Sequence, residues 1–388
     1  MSHAPKIRLE HVEKKYPGSR TPAVEDLSLE VEEGEILVLV GPSGCGKSTT
    51  LRLVNRMIEP TGGTIHLDDE DVTSVNADRL RRRMGYVIQQ VGLFPHQSIA
   101  QNIATVPSML GWDRARVSER VDELLTMVGL DPETYRDRYP RELSGGQAQR
   151  VGVARALGAD PEIMLMDEPF GAIDPITRER LQNEFLRLQA ELRKTIVFVT
   201  HDIDEAIRMG DRIAILGERS HIRQIDTPER ILAFPVDDFV RDFIGSGSTL
   251  KGLQFEVVDD AVELDPYPTM GVDDDPARAL RAAQDANAAY VLLLDETGRP
   301  TRWLSVEDLE SAERVTAESG TEVLAKVELG ATLFEALEQM LISAAAVACV
   351  VRDDGSLYGV VRLTHLNRVI RQARVEAREH YERIGVAS

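Results

Sequence analysis

A glycine-rich segment early in the chain has the residue types and spacing of a phosphate-binding loop. It follows the apolar run Ile36–Val40 and precedes a predicted helix over Thr50–Met57. Glycines let successive backbone N–H groups point at one anion, and the N-terminus of the following helix adds partial positive charge. This strand–loop–helix context disfavours a glycine-rich turn without function. The residues expected to contact the phosphates are Gly41, Ser43, Gly44, Cys45, Gly46, Lys47, Ser48 and Thr49.

Two adjacent carboxylates, Asp167 and Glu168, end another apolar run, Ile163–Met166. At a strand tip that faces a phosphate-binding loop, Asp167 can hold Mg²⁺ through water, and Glu168 can polarise an attacking water. An acidic pair that ends a strand is by itself more often a turn. The phosphate-binding loop in the same chain favours the catalytic interpretation.

A second anion-binding segment precedes the predicted helix Ala148–Leu157. Backbone amides at a helix N-terminus bind anions, and one ligand cannot obviously use two such segments of a single chain. The residues of this segment are Ser144, Gly145, Gly146 and Gln147.

Three apolar strands are expected to position these groups. The runs Ile36–Val40, Ile163–Met166 and Thr195–Thr200 end in the loop, the acidic pair and His201, respectively. Buried apolar strands that end in polar residues predict a parallel sheet with ligands bound beyond its carboxyl ends. The alternating segment Asp26–Val31 predicts a half-buried strand before them.

Residues of about 97–158 have a helical pattern. Apolar residues recur there every three to four positions, and Gly129 is the expected stop. The recurring residues are Val117, Val121, Leu124, Leu125 and Val128. We therefore expect a helical insertion in the sheet domain.

The order of these segments resembles the ATP-binding cassette (ABC) family over residues 1 to about 245. The resemblance implies an α/β fold of the P-loop NTPase class, a RecA-like core with an antiparallel β subdomain and a helical subdomain at about 97–158. It also implies ATP hydrolysis with Mg²⁺ in a head-to-tail homodimer, where each ATP lies between the phosphate-binding loop of one subunit and the Ser-Gly-Gly segment of the other. The matching residues are the loop, Gln89, Leu143–Gln147, Asp167, Glu168, Asp174 and His201.

The resemblance assigns the magnesium ligands to Ser48, Gln89 and Asp167, and the catalytic role toward water to Glu168. Gln89 would also contact the attacking water and relay to membrane subunits. Its neighbour Gln90 is an alternative for these roles.

By the same resemblance, Tyr16 would stack on adenine, Asp174 would support the opposing phosphate-binding loop, and His201 would hold the γ-phosphate. Simpler alternatives are a surface aromatic for Tyr16 and a helix-capping histidine for His201. The segment Gly171–Asp174 departs conservatively from the family's commoner Ser-Ala-Leu-Asp.

The length of 388 residues favours two folded units over one. The longest apolar runs, Ile36–Val40 and Ala344–Val351, fall short of the roughly 20 residues of a membrane-spanning helix. Residues Met1–Glu10 do not resemble a secretory leader. We therefore expect a cytosolic protein, located at the cytoplasmic face of the cell membrane if the resemblance holds.

The two cysteines, Cys45 and Cys349, provide no disulfide framework. The formal net charge of −20 argues against a nucleic-acid partner, which requires a basic surface. Solubility is the simplest interpretation of the acidity, and a salt-adapted or salt-sensing role is the alternative.

A glycine/serine segment at Phe243–Ser248 marks a change in composition and a predicted domain boundary. We expect a nucleotide-binding domain over residues 1–245, a linker over 246–254 and a regulatory domain over 255–388.

The regulatory domain contains an internal repeat. Ala279–Gly298 matches Ala336–Gly355 without a gap, at an offset of 57 (336 − 279). Each copy, at about 255–311 and 320–373, has the pattern helix, strand, turn, strand and short helix, with a final helix to 385. Asp275 with Pro276, and Thr332, are the expected helix N-caps.

The repeat looks like a pair of CBS modules, an α+β regulatory unit. In CBS modules a glycine, then Ser/Thr three residues on and Asp three further, contact a ligand's ribose. The first copy has Arg302, Ser305 and Asp308 at these positions, and the second has Gly359, Arg362 and His365. At most one adenine (di)nucleotide pocket is expected, and a packing module without ligand is the alternative. Sensing of ionic strength, with the basic segment Arg368–Arg383, is a further hypothesis.

The segment Gln89–His96 and the paired modules are similar to the ABC subfamily that imports glycine betaine, choline, carnitine or proline betaine. The implied partners are permease subunits in the membrane and an extracytoplasmic solute-binding protein or domain. The alternatives are an importer ATPase for another small solute, such as an amino acid, and a soluble cassette ATPase in DNA repair or translation.

Overall fold

A computed structural model of the chain describes residues 5–88, 92–171, 173–258, 264 and 267–385. The chain divides into two compact units. Unit 1 extends to Ile231 and includes Val236–Phe243, and unit 2 consists of Leu232–Pro235 and the chain from Ile244 onward.

Unit 1 begins with an antiparallel sheet. Apolar residues of its first two strands alternate with exposed ones, because one face of the sheet is buried and the other is not. The strands, in the order β2-β1-β4-β5, are β1 (Ile7–Lys14), β2 (Val24–Val31), β4 (Gly62–Leu67) and β5 (Glu70–Asp71).

A six-stranded sheet forms the centre of unit 1. Its strands run parallel except for the edge strand Ile222–Asp226, which pairs antiparallel with its neighbour. The order is β10-β9-β3-β8-β7-β6, with β3 (Ile36–Val40), β6 (Met84–Val87), β7 (Ile163–Asp167), β8 (Thr195–Thr200), β9 (Arg212–Leu216) and β10 (Ile222–Asp226). Since β3, β8 and β7 are neighbours, their carboxyl ends meet at one edge of the sheet.

Ten helices accompany these sheets in the described residues up to Ile244. They are α1 (Lys47–Val54), α2 (Ala77–Arg81), α3 (Ile99–Met109), α4 (Arg114–Met127), α5 (Pro132–Tyr135), α6 (Gly145–Leu157), α7 (Pro175–Leu192), α8 (Ile203–Met209), α9 (Pro228–Ala233) and α10 (Asp238–Ile244). Two short 3₁₀ turns occupy Pro140–Glu142 and Glu218–Ser220.

The predicted strands agree closely with the structure, but the first predicted helix does not. The bounds of β3 and β8 match the apolar runs. Helix α1, however, begins at Lys47, three residues before the expected start at Thr50, because the last residues of the glycine-rich loop already form the first helical turn. It also ends earlier, at Val54. The helical insertion contains α3 to α6, and Gly129 follows α4 with a left-handed φ of 69°.

One core cluster joins the antiparallel sheet, the central sheet and α1. Leu9 and Ile65 of the first sheet, Leu39 and Val197 of the second and Leu51 of α1 are almost completely buried in it. Each fully buried aliphatic side chain of this size contributes about 1.5–3 kcal/mol. The loop between β3 and α1 is thus anchored at both ends in one core.

Unit 2 contains the repeat. Its sheets have the orders β11-β12-β13-β14 and β15-β16-β17. The strands are β11 (Thr269–Gly271), β12 (Tyr290–Leu294), β13 (Pro300–Ser305), β14 (Thr321–Glu322), β15 (Lys326–Glu328), β16 (Ala348–Val351) and β17 (Leu357–Val361). The helices are α11 (Ser248–Gly252), α12 (Pro276–Asp285), α13 (Val306–Ser311), α14 (Leu333–Ile342) and α15 (Leu363–Ile384).

The two copies follow the predicted offset. Helices α12 and α14 begin at residues 276 and 333, and strands β13 and β17 at residues 300 and 357, so both pairs differ by 57 (333 − 276 and 357 − 300). Asp275 accepts from the N–H of Ala277 at 3.0 Å, and Thr332 accepts from the N–H of Glu335 at 3.2 Å. Both residues therefore cap their helices as predicted.

Residues 246–254, which we expected to be a linker, contain α11, and Leu253 is buried in the core of unit 2. The glycine/serine composition therefore marks a helix start here, with Gly247 at a left-handed φ of 92°. Among the described residues, no helix is both long enough and apolar enough to cross a membrane.

Gly359 in β17 lies against Leu264. A Cβ atom on Gly359 would be 2.8 Å from Leu264 Cδ1 and 3.0 Å from its Cβ. Leu264 also packs on the core that contains Val361 and Leu366. The absence of a side chain at residue 359 thus makes room for Leu264.

We predict that Gly359→Ala destabilises unit 2 by about 1–3 kcal/mol through overpacking. Urea unfolding followed by the fluorescence of Trp303, which is 1% exposed, measures this in a Trp112→Phe background that leaves no other tryptophan. Gly252→Ala is the control, because among the described residues no atom beyond its chain neighbours and its own helix lies within 4 Å of the added Cβ. The double change of Gly359 and Leu264 to Ala should destabilise less than the sum of the single changes, and strict additivity would contradict the contact.

Candidate functional site

The glycine-rich loop has a backbone that requires glycine at two positions. Gly46 has φ 113°, and a Cβ there would lie 2.1 Å from Ser220 Oγ and 2.6 Å from the carbonyl oxygen of Ala23. A Cβ on Gly41 would lie 2.3 Å from the carbonyl oxygen of Leu216. Neighbouring backbone therefore packs directly against the loop and holds its shape.

Lys47 carries a buried positive charge in this loop. It is 6% exposed, and its Nζ donates to the carbonyl oxygens of Gly41 at 2.6 Å and Pro42 at 3.0 Å. No described carboxylate lies within 4.0 Å of the ammonium. A buried charge without a counter-charge is unfavourable, so the loop is electrostatically suited to an anionic group such as a phosphate.

Asp167 at the end of β7 faces α1. Its Oδ1 accepts a hydrogen bond from Ser48 Oγ at 2.8 Å. Burial raises the pKa of Asp167, as does the neighbouring Glu168 carboxylate, while the Ser48 hydrogen bond opposes the rise. A divalent cation would relieve this unfavourable burial, and a hydroxyl with a carboxylate is a suitable oxygen donor set for Mg²⁺. The residues thus fit the expected cation.

Glu168 is held in a strained conformation. Its φ of 46° lies in the left-handed region, which is rare for residues with a side chain. Its N–H donates to the carbonyl oxygen of Val199 in β8 at 2.9 Å. This places its Oε1 3.1 Å from Nδ1 of His201 at the end of the same strand. The sheet therefore brings the predicted water-activating carboxylate and the predicted γ-phosphate contact together.

The capping alternative for His201 is not what the structure shows. Asp202 caps α8, and its carboxylate accepts from the N–H groups of Asp204 at 2.9 Å and Glu205 at 3.3 Å. The side chain of His201 is 56% exposed, so it can contact a ligand.

The second predicted anion-binding segment begins α6. Ser144 Oγ accepts from the N–H of Gln147 at 3.3 Å, and Gln147 Oε1 accepts from the N–H of Ser144 at 2.9 Å. A Cβ added at Gly145 would have no atom of the described chain within 4 Å, apart from its chain neighbours and its own helix. In the described part of the chain, no hydrogen bond or ion pair connects this segment with the glycine-rich loop. Both segments are formed, but one chain does not bring them together by such contacts.

The remaining predicted residues lie at element ends. Tyr16 follows β1, is 38% exposed and has Lys14 Nζ 5.4 Å from its ring centroid. Asp174 caps α7 by accepting from the N–H of Thr177 at 3.1 Å, and this hydrogen bond lowers the pKa of Asp174. Gln89 and its alternative, Gln90, lie outside the described residues.

Two residues that support the site are not marked by any of the sequence motifs above. Ser220 is fully buried, and its N–H donates to the carbonyl oxygen of Cys45 at 2.6 Å. Tyr135 OH accepts from Gln147 Nε2 at 2.9 Å. No sequence pattern marks Ser220, which is distant from the loop in the chain, whereas Tyr135 lies close to Ser144 in the sequence.

The CBS-type ligand positions of unit 2 are engaged in local contacts. Ser305 and Asp308 form reciprocal cap hydrogen bonds, both at 3.0 Å. His365 is 1% exposed, and its Nδ1 accepts from the N–H of Arg362 at 3.0 Å. Gly359 is covered by Leu264. The second copy therefore leaves little room for a ribose at the expected place.

Comparison with known proteins identifies the family. The ABC transporter family model matches residues 24–171. The osmoprotectant import ATP-binding protein OsmV of Salmonella typhimurium is 44% identical over 315 residues, which are 80% of this chain and 82% of that protein. The glycine betaine/carnitine/choline transport ATP-binding protein OpuCA of Bacillus subtilis is 41% identical over 368 residues, 94% of this chain and 96% of that protein.

This chain belongs to the ATP-binding subunits of ABC transporters. A bacterial ABC transporter cassette solved as a dimer matches with a TM-score of 0.52 and 35% identity, covering 57% of this chain and 98% of that chain. A post-hydrolysis state of the cassette bound to ADP and Pi matches with a TM-score of 0.52 and 33% identity, over 57% of this chain and 98% of that chain. The predicted ABC cassette fold is thus confirmed.

We predict that Asp167→Asn raises the melting temperature of the nucleotide-free ABC subunit at pH 7. The raised pKa of Asp167 means that the folded protein favours the neutral form of this carboxyl group. Ionisation of Asp167 therefore lowers the free energy of unfolding as pH rises from the ordinary value of 3.8 through the folded pKa. Asparagine is neutral and can still accept from Ser48. The gain should shrink toward pH 4.

Asp71→Asn is the matched control. Hydrogen bonds from Thr73 lower the pKa of Asp71, so its replacement should lower the melting temperature at pH 7. Thermal unfolding of both variants between pH 4 and pH 8 measures whether each substitution raises or lowers the melting temperature relative to the wild type. A lower melting temperature for Asp167→Asn at pH 7 would contradict the electrostatic account.

Proposed function

We propose that this chain hydrolyses ATP at the cytoplasmic face of a cell membrane and drives the import of an osmoprotectant quaternary amine, such as glycine betaine, choline, carnitine or proline betaine. The observation that carries the proposal is the convergence of Lys47, Asp167, Glu168 and His201 at one sheet edge. The chain also aligns over 94% of its length with OpuCA of Bacillus subtilis, whose name states transport of glycine betaine, carnitine and choline.

The loop of unit 1 binds the triphosphate in this proposal. Its backbone amides and the N-terminus of α1 face the phosphates, and Lys47 exchanges two carbonyl partners for phosphate oxygens. Tyr16 stacks on adenine. Ser48 and Asp167, with Gln89, hold Mg²⁺, which neutralises charge on the phosphates.

Hydrolysis then depends on the pair at the ends of β7 and β8. Glu168 accepts a hydrogen bond from the attacking water and orients it toward the γ-phosphate. His201, oriented by its 3.1 Å contact with Glu168, holds that phosphate. The strained backbone of Glu168 fixes the direction of the carboxylate.

A second copy of the chain completes the site. Ser144 and the amides of Gly145 and Gly146 bind the γ-phosphate of the partner's ATP, and Asp174 supports the partner's loop. The support is the Ser144 segment, which is formed but makes no hydrogen bond or ion pair with the glycine-rich loop of its own chain in the described residues, and the dimeric state of a related cassette.

The membrane permease docks on the helical insertion. A groove of about 420 Å³ lies between α3 and α4, and the guanidinium of Arg116 stacks 3.7 Å from the Trp112 ring centroid beside it. Residues that line it include Ala100, Gln101, Ala104, Ser108, Trp112 and Val117. An extracytoplasmic solute-binding protein or domain delivers the solute to the permease.

Unit 2 is the regulatory part in this proposal, with CBS modules that respond to an adenine (di)nucleotide or to ionic strength. The repeated β-α-β-β-α order at an offset of 57 residues supports the CBS assignment. The filled positions around Gly359 and His365 favour ionic strength over a nucleotide in the second copy.

We predict that Glu168→Gln lowers the ATP turnover by about 10²–10⁴-fold. The variant should still bind ATP and remain as an ATP-bound dimer, because only the group that polarises water is lost. ATP hydrolysis and size-exclusion chromatography with ATP and Mg²⁺ measure the two properties. Glu191→Gln, at an exposed position of α7, is the control and should behave like the wild type.

The transported solute is tested with the assembled transporter. The chain, its permease and its solute-binding partner are reconstituted in proteoliposomes, and ATP hydrolysis is measured with quaternary amines and with amino acids. We expect stimulation by quaternary amines that is lost with Glu168→Gln. Stimulation by amino acids alone would favour the other importer class, and failure to copurify with any integral membrane protein would favour a soluble ATPase.

A further inference from the structure

A series of polar contacts joins α7 and α8, the helices that are capped by Asp174 and by Asp202, the residue after His201. On the α8 side the contacting residues lie three apart, at 202, 205 and 208, and on α7 they fall within residues 178–183. The contacts are Arg178 Nη1 to Asp202 Oδ2 at 3.8 Å, Gln182 Nε2 to Glu205 Oε1 at 3.0 Å, and Arg208 Nη2 to Glu179 Oε1 at 3.1 Å and to Asn183 Oδ1 at 2.8 Å. We call this series the α7–α8 ladder.

The middle contact of the α7–α8 ladder is buried. Gln182 is 4% exposed and Glu205 is 7% exposed. Burial raises the pKa of Glu205, while hydrogen bonds from Thr200 and Gln182 oppose the rise. A buried carboxyl group is unfavourable unless its partners are fixed, and an apolar pair could fill the same space. The directional hydrogen bond between Gln182 and Glu205 is therefore what distinguishes this pair from an apolar pair in the same space.

The first contact reaches both functional loops. Arg178 Nη2 donates to the carbonyl oxygen of Ile173, the residue before Asp174, at 3.0 Å. Its Nη1 lies beside Asp202, the residue after His201. Arg178 is thus a direct link between the loop that begins α7 and the loop that begins α8.

We propose that Arg178, Gln182 and Glu205 are positioning residues that make α7 and α8 move as one body and thereby couple the two ATP sites of the dimer. The inference rests on the proposed function, in which His201 contacts the ATP of its own chain and Asp174 contacts the partner's loop. When the γ-phosphate engages His201, α8 shifts, the ladder carries α7 with it, and Asp174 takes its position in the partner's site. Two sites linked by such an element hydrolyse ATP cooperatively.

The ladder suits this role because its contacts have fixed directions. Apolar helix packing tolerates small sliding and rotation, whereas a hydrogen bond weakens steeply when its angle changes. The ladder therefore transmits a small shift at His201 instead of absorbing it. This is a physical link between two named groups and needs no longer pathway.

The test uses the full chain with ATP and Mg²⁺, and four forms: wild type, Arg178→Met, Arg178→Lys and Arg180→Met. Arg180 lies on α7 and is exposed, and its side chain makes no hydrogen bond or ion pair with the described residues, so Arg180→Met is the matched control. ATP hydrolysis is measured against ATP concentration, and ATP affinity is measured separately without Mg²⁺. Melting temperatures report folding.

We expect a Hill coefficient above 1, and at most about 2, for the wild type and Arg180→Met. Arg178→Met should give a Hill coefficient of about 1 and a kcat about tenfold lower, with ATP affinity within about twofold of the wild type. Arg178→Lys keeps the charge toward Asp202 and should recover part of the cooperativity. A wild-type Hill coefficient for Arg178→Met, or a lower kcat with unchanged cooperativity, overturns the proposal, as does a wild type that hydrolyses ATP without cooperativity.

A further variant, changed at both Gln182 and Glu205, distinguishes a loss of coupling from a loss of folding. Replacing both Gln182 and Glu205 with Leu removes the buried hydrogen bond but keeps apolar packing of similar volume, which is often neutral or stabilising. We expect a melting temperature at or above that of the wild type together with a Hill coefficient of about 1. Retained cooperativity in this stable variant overturns the proposal. Absence of ATP hydrolysis in wild type and Arg180→Met alike instead overturns the proposed function, and the coupling with it.

Discussion

The buried ammonium of Lys47 is the feature on which the rest of unit 1 depends. It is held by the carbonyl oxygens of Gly41 and Pro42, and these are weak partners for a full charge out of water. The sheet, the core under α1 and the backbone packed on Gly46 hold the loop around this charge. An anionic ligand supplies the counter-charge that the described residues do not place near the Lys47 ammonium. Ligand binding should therefore also stabilise the folded loop.

Asp167 and Glu168 are also held in unfavourable states, and their charge is negative where that of Lys47 is positive. Burial disfavours the ionised form of Asp167, and the left-handed φ of Glu168 is a local strain. Asp167 ends β7 and Glu168 follows it, next to the neighbouring strand β8, to which the Glu168 N–H donates. In the proposed function, a divalent cation bound with the triphosphate brings the complementary charge to Asp167. The residues with the expected chemical roles are therefore also those that lower the stability of the fold, a stability–activity trade-off that is common in enzymes.

The sequence predicted the elements that carry chemistry better than the contacts that support them. The apolar runs of β3 and β8 and the caps Asp275 and Thr332 are local patterns, so they could be read directly. Helix α1 was placed too late because a glycine-rich loop does not have a helical pattern even where its last turn is helical.

Contacts between distant segments could not be predicted in this way. Ser220 meets the loop from 174 positions away (220 − 46), and Arg178 joins two loops whose distance is set by the pairing of β7 with β8. Helical periodicity places Gln182 and Glu205 on buried faces but does not pair them. Such pairs follow from the tertiary fold, which one sequence does not encode in any short window.

In the proposed dimer, each ATP lies between Lys47 of one chain and Ser144 of the other. The most direct measurement mixes two defective forms, Lys47→Ala and Ser144→Arg, in a background that cannot complete hydrolysis, and counts the ATP retained per dimer. Each form alone has no intact site. We expect the mixed dimer to retain one ATP, because the intact loop of the Ser144→Arg form meets the intact serine segment of the Lys47→Ala form. Mixed dimers that retain none, or a Lys47→Ala form that retains ATP alone, would contradict it.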